Sequence, residues 1–253
     1  MEIRDPGMRV RFMDLPDIIH DWLSPHLPLE GARILDFGCG EGVTALGMAV
    51  RYRPNLMLGC DISAEVHHCA DIAGTHFGLK ETPANLRLMH VEPGSLIPEA
   101  VDMDMVYAWS VFEHVSQDIL GNTLDLLHGC LRDGGYLFIQ IAPLFYSSQG
   151  SHMQEKVPEP WAHLSMQHNL FMHRLSLACS NAAEYHRLAG TYLTLNRITV
   201  PTLLDAISSA GFERVRTYTT KEDLKPSASL LTAYREEVLC TNQVAVLARK
   251  RRR

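Results

Sequence analysis

Between residues 33 and 141 short apolar runs alternate with longer helical stretches, and few folds accommodate that rhythm. Residues 33–37 (RILDF), 56–60 (LMLGC), 86–91, 105–109 (MVYAW) and 136–141 (YLFIQI) each read as a strand. Between them, residues 43–52 read as a helix stopped by Pro54-Asn55. Ser63 can cap a helix over 64–73, and 124–131 is helical up to Asp133-Gly134-Gly135. Strands this continuously apolar are covered on both faces, and strand–helix–strand repetition supplies the cover. The pattern predicts an α/β fold built on a parallel sheet.

Outside that block the signals are sparser. Residues 15–23 form an amphipathic stretch ending near Ser24-Pro25. From 143 to 197 no strand signal appears, and the segment is rich in His, Met and aromatic residues. Asn181 and Glu184 have the spacing of a capping box, opening a helix toward Gly190. Regularity returns at Thr199, a helix cap with Pro201 in the first turn and Gly211 past the end. Strands follow at 213–219 and 243–249. No repeat or flexible linker divides the chain, so one domain over 1–253 is expected, with an inserted lid at about 143–198. A stretch of that length without strands is more often functional than idle.

Composition removes several classes. With 46% hydrophobic residues in 253 the chain can bury a substantial core, and no apolar run is long enough to span a bilayer. The N-terminus lacks the basic-then-apolar order of a secretory leader. Six cysteines (39, 60, 69, 130, 179, 240) include no CxxC pair, which fits a reducing cytoplasm and no zinc site. The 13 histidines give no metal spacing either: His67, His68 and Cys69 are consecutive, and His163, His168 and His173 do not share a helix face. Net charge is −6, but five of the 23 basic residues are the terminal RKRRR; the remaining 18 face 29 acidic residues, giving −11. Nucleic-acid binding is disfavoured by so acidic a body, and the tail is expected to be solvated.

Chemistry concentrates in residues 35–42, Leu-Asp-Phe-Gly-Cys-Gly-Glu-Gly, where the first strand gives way to a helix. Glycine at every second position lets the backbone approach a ligand closely, and the helix start offers N–H groups and partial positive charge. Asp61 closes the second strand, and a carboxylate there can accept both hydroxyls of a ribose. Dinucleotide sites carry GxGxxG; here the order is GxGxG, with Val43 at the sixth position. That spacing suits an adenosyl group joined to an amino acid.

On these residues the chain resembles the class I S-adenosylmethionine-dependent methyltransferases, over about 31–141 and again over 199–249. The resemblance implies a Rossmann-like sheet, mostly parallel with an antiparallel C-terminal hairpin, and S-adenosyl-L-methionine as cofactor. It maps the cofactor site onto Asp36, Gly38, Gly40, Gly42, the ribose acid Asp61 with Ile62 beside it, and Glu92, where the family more often has Asp. The family's fourth motif maps onto 103–115, including Trp109. Its reaction is SN2 methyl transfer, in which the protein aligns the reactants and excludes water.

An acceptor hydroxyl or amine must lose a proton, and His114, beside Glu113 behind the fourth strand, is the first candidate base. The competing reading makes this pair structural. The lid resembles an uncharacterised, small-molecule subset of the family with a Gly-Ser-His and Pro-Trp-x-His pattern. That makes His152 a second candidate base, and His152, Trp161 and His163 candidate acceptor-binding residues; the alternative is a self-packed loop. The expected function is methylation of a small molecule, at oxygen. Two alternatives stand beside it: a binding protein of the same fold without turnover, and an NAD-dependent oxidoreductase. Oligomeric state is open, a homo-oligomer included.

Overall fold

A computed structural model of the chain describes residues 3–251; Met1, Glu2 and the last two arginines of the basic tail lie outside the described residues. Seven strands form one sheet: β1 (Arg33–Phe37), β2 (Leu56–Asp61), β3 (Leu86–His90), β4 (Met103–Trp109), β5 (Leu131–Ile141), β6 (Phe212–Lys221) and β7 (Thr241–Lys250). Their order is β3-β2-β1-β4-β5-β7-β6. Neighbours from β3 through β5 run parallel, while β7 is antiparallel to both β5 and β6. The sheet is mostly parallel, with an antiparallel C-terminal pair and helices packed around it.

Burial explains the strand composition. β1 and β4 are buried through their middles, and side chains on the two faces join separate cores. Leu35, Val106 and Ile139 pack on one face with Leu124 and Leu203; Ile34, Met105 and Phe138 pack on the other with Ile19 and Met48. The helix Val43–Tyr52 begins directly after the glycine segment. Its neighbour after β2 is not continuous. Ser63 caps a tight 3₁₀ turn, Ala64–His68, and the α-helix runs from Cys69 to Phe77. Residues 132–135 stand out of register between the Met103–Leu131 and Met105–Tyr136 pairs, with Gly134 at φ 74°.

Chain order reverses between β1 and β4, since β2 lies on one side of β1 and β4 on the other. In open α/β sheets the crevice at the carboxyl ends of such strands is the place for a ligand.

The segment after β5 contains the helices Ala162–Ser165, His168–Ala178 and Ala182–Thr194, with an apolar core of its own that includes Phe145, Val157, Phe171, Leu175 and Tyr192. Asn181 caps the last helix through the Glu184 N–H at 2.9 Å, while Glu184 reaches back to the Ser180 N–H at 2.6 Å. Both roots of the segment are tied down. At the entry, the Leu144 N–H donates to the Asn242 carbonyl (2.7 Å) and the Ser148 N–H to Glu222 (3.1 Å). At the exit, Asn196 donates from Nδ2 to the carbonyls of Phe112 and Val115, and from its own N–H to that of Glu113. Among the described residues no helix is long and apolar enough to cross a membrane.

Candidate active site

The glycine segment is a left-handed zigzag: Gly38, Gly40 and Gly42 have φ of 79°, 54° and 76°. Their reasons differ. A Cβ on Gly38 would lie 2.4 Å from Val111, and one on Gly42 2.6 Å from Leu88, so both are demanded by packing as well as by φ. A Cβ on Gly40 would meet nothing within 4 Å. It would project into open space, leaving bare backbone beside Asp61, although of the three glycines Gly38 alone lines the crevice cavity.

Asp61, at the end of β2, locks this segment. One carboxylate oxygen accepts the Gly40 N–H at 2.7 Å and the other the Ser63 N–H at 2.7 Å. A carboxylate has about four lone-pair sites, so a rigidly aimed Asp61 keeps capacity for two further donors such as ribose hydroxyls. Asp36 is placed differently. It is 3% exposed, accepts the Tyr107 hydroxyl at 2.8 Å and does not line the crevice cavity. Burial, and secondarily the charge of Asp61, push its carboxyl up to about 7 against the opposing Tyr107 bond.

A cavity of about 320 Å³ opens at the carboxyl ends of β1, β2 and β4. Gly38, Asp61, Ile62, Glu92, Ser110 and His114 line it, over an apolar floor that includes Val91, Ile97 and Leu126. Ile62 is 63% exposed at its mouth, an apolar side chain with no packing reason to be there. No lysine or arginine lines the cavity among the described residues. An apolar slot beside a fixed carboxylate has the chemistry to accept a nucleoside, an apolar base against the slot and hydroxyls toward Asp61. Trp109 instead packs against Phe138 on the opposite face of the sheet.

His114 lines this cavity and also a second, more open groove of about 410 Å³ formed with Ser116, Gln117 and residues 193–196. Its Nδ1 lies 2.8 Å from the Thr194 hydroxyl, and its ring meets that of His152 edge to face at 5.8 Å. Burial, with a smaller contribution from His152, pulls the ring down to about 4, so it is neutral at pH 7. Beside it Glu113 is 2% exposed and neither carboxyl oxygen has a partner. Burial pushes that carboxyl up to about 8, against a smaller opposing pull from its own backbone N–H.

The lid residues are partly brought here. His152 sits against His114, with Nε2 held by the Pro143 carbonyl at 3.1 Å. His163 is buried one layer back, donating from Nε2 to the Phe145 carbonyl at 2.6 Å. Trp161 is 4% exposed, packed with Leu230 and Leu239, its indole N–H shared between the carbonyls of Tyr146 and Leu239. Neither His163 nor Trp161 lines the crevice cavity. Sequence reasoning missed Tyr107, Thr194 and Asn196. Tyr107 reads as an ordinary core residue, and the other two lie some 80 positions from the turn they serve. Among the described residues no group of three or more His, Cys, Asp or Glu could hold a metal ion.

Comparison with known proteins bears on the family and the fold. The family profile described as "Methyltransferase domain" matches residues 10–213. A tRNA U34 carboxymethyltransferase of Pseudomonas putida (strain W619) is 30% identical over 152 residues, covering 55% of this chain. The match takes in 42% of that protein, so the chain spans less than half the length of this relative. Among solved structures, magnesium protoporphyrin IX methyltransferase from Synechocystis PCC 6803, with bound S-adenosylhomocysteine, superposes with a TM-score of 0.57 at 15% identity over 96% of this chain and 84% of its own. An S-adenosylmethionine-dependent methyltransferase from Mesorhizobium loti gives 0.54 at 19% identity, over 91% and 96%. At these identities the likeness is one of fold.

Proposed function

The chain belongs to the methyltransferase-domain family, and on that premise we propose that it transfers a methyl group from S-adenosylmethionine to the oxygen of a small-molecule acceptor, with His114 as base. One observation carries the reading: His114 lines the same cavity as Asp61, Ile62 and Glu92. The residue that would take a proton therefore stands beside those that would hold the donor.

S-adenosylmethionine supplies a methyl group already activated by a sulfonium sulfur. What remains for the protein is placement, dryness and one proton. Asp61, fixed by two backbone N–H groups, would hold the ribose, and Ile62 with Val91 and Leu126 would enclose the base. The bare backbone at Gly40 leaves room for the amino-acid portion. His114, kept neutral by burial, can accept the acceptor's hydroxyl proton as the oxygen attacks the methyl carbon. The segment over 143–198 would act as the lid: none of its residues lines the crevice cavity itself, but it brings His152 against His114 at the cavity's edge.

The relatives' name raises a second donor and acceptor. A carboxymethyl group adds a carboxylate, which needs a cation, yet among the described residues the cavity presents Asp61, Glu92 and a neutral His114 and no lysine or arginine. A tRNA acceptor needs clustered Lys and Arg, and outside the terminal RKRRR the chain has 18 basic against 29 acidic residues. Both features favour the methyl donor and a small acceptor. The test is turnover of a panel of small hydroxylated acceptors and of bulk tRNA, with either S-adenosylmethionine or its carboxymethyl counterpart. Methylation of small molecules, lowered about 10²–10⁴-fold in kcat by His114→Ala, is expected. Preference for the carboxymethyl donor, or for tRNA, would overturn it.

A further inference from the structure

The bonds around His114 bear on which of its nitrogens carries hydrogen. Thr194 Oγ1 lies 2.8 Å from His114 Nδ1 and 2.9 Å from the Thr191 carbonyl, which can only accept, so the geometry gives the single hydroxyl proton to that carbonyl. The helix Ala182–Thr194 ends there, and the N–H of Leu195 goes to Tyr192 rather than to Thr191. A hydroxyl has one proton and two lone pairs, so toward His114 the Thr194 oxygen can only accept. The hydrogen between them therefore sits on Nδ1, and Nε2 keeps its lone pair.

We propose that Thr194 is a positioning residue, delivered by the lid, that holds His114 in the Nδ1–H tautomer and so leaves Nε2 as the proton-accepting atom. This rests on the reading of His114 as the base for its catalytic consequence, though not for the tautomer itself. The two ring nitrogens point away from each other, so engaging Nδ1 at the outer groove turns Nε2 from that groove. The register of the bond is held by Asn196, two residues on. Its side chain and backbone bond to three carbonyls of the turn carrying His114, and Gln117 donates from Nε2 to its carbonyl at 2.6 Å. The base is thus correctly protonated only when the exit of the lid is docked. His152 is fixed the opposite way, since its Nε2 donates to the Pro143 carbonyl.

The test is side-chain ¹⁵N NMR of the full chain, with the His114 signals assigned by their loss in His114→Gln. The expected resting state is a neutral ring with a protonated Nδ1 and a bare Nε2. Thr194→Val, nearly isosteric but without the accepting oxygen, should move the ring toward Nε2–H. It should also lower kcat about tenfold, with S-adenosylhomocysteine affinity unchanged. Thr194→Ser should restore both tautomer and rate, which a purely structural role for the Thr194 methyl would not. An Nε2–H ring in the parent protein, or a tautomer indifferent to Thr194→Val, would overturn the inference. Full turnover in His114→Gln would overturn the base reading instead, because the tautomer is measured without substrate.

Discussion

Glu113 offers a sharp test of how burial governs this site. Its carboxyl is 2% exposed and neither oxygen finds a donor, so ionising it inside the fold leaves an uncompensated charge. Burial accordingly pushes it from 4.5 to about 8. At 1.36 kcal/mol per pH unit that displacement corresponds to about 5 kcal/mol at most, and structural relaxation and water entry should leave about 2–4 kcal/mol. The direction follows from the raised value. Below about pH 4.5 both folded and unfolded chains hold the proton, and Glu113 costs nothing electrostatic. Between 4.5 and about 8 the unfolded chain releases it while the folded one keeps it, so stability falls as pH rises; above 8 the loss is complete. Glu113→Gln keeps the shape and cannot ionise. Urea unfolding of both proteins from pH 4.5 to 9 should show a gap opening in favour of the variant and reaching about 2–4 kcal/mol. Asp36, also raised, titrates in both proteins and cancels from the difference. Parallel curves would refute the reasoning, since Glu113 would then have a partner or solvent access.

Further predictions concern the cradle and the lid. Asp61→Ala should weaken S-adenosylhomocysteine binding by about 1.5–3 kcal/mol in calorimetry, the scale for bonds to a charged group; unchanged affinity would remove Asp61 from the site. Gly40→Ala should cost about 1 kcal/mol of stability from its positive φ, because its Cβ meets no protein atom, yet lower ligand affinity at least about tenfold. An equal affinity would show that the opening at Gly40 is not where the ligand lies. Trp161→Phe, which strips the bonds to Tyr146 and Leu239, should lower stability by about 1–3 kcal/mol and leave acceptor KM alone. A raised KM at full stability would place Trp161 against the acceptor after all.

What could be read from the chain was whatever local chemistry dictates. The helix Val43–Tyr52, the strand Arg33–Phe37 and the Thr199 cap lie where their apolar runs, breakers and capping hydroxyl put them. The helix after β2 was read as one piece, since Ser63 announces a start but nothing announces the change from 3₁₀ to α at Cys69. The helix His168–Ala178 carries no clear signal in the sequence. Its buried residues, Phe171 and Leu175, face a small core shared with Phe145 and Tyr192, so too few apolar positions mark its face. The parts of the site set by distant pairing were closed to sequence reasoning. Tyr107 meets Asp36 across two strands, and Thr194 meets His114 only because Asn196 clamps that turn. Glycine spacing likewise cannot say that Gly38 and Gly42 are required by neighbours while Gly40 is left open.

The tied roots of the insertion have a consequence for how such a scaffold diversifies. Entry and exit are each secured by their own hydrogen bonds, and the helices between them pack chiefly on one another. That stretch is a cassette: its length and outward-facing side chains can be exchanged while the anchors stay put. Selectivity for one compound over another can then drift so long as His152 and Thr194 keep their places against the turn beneath.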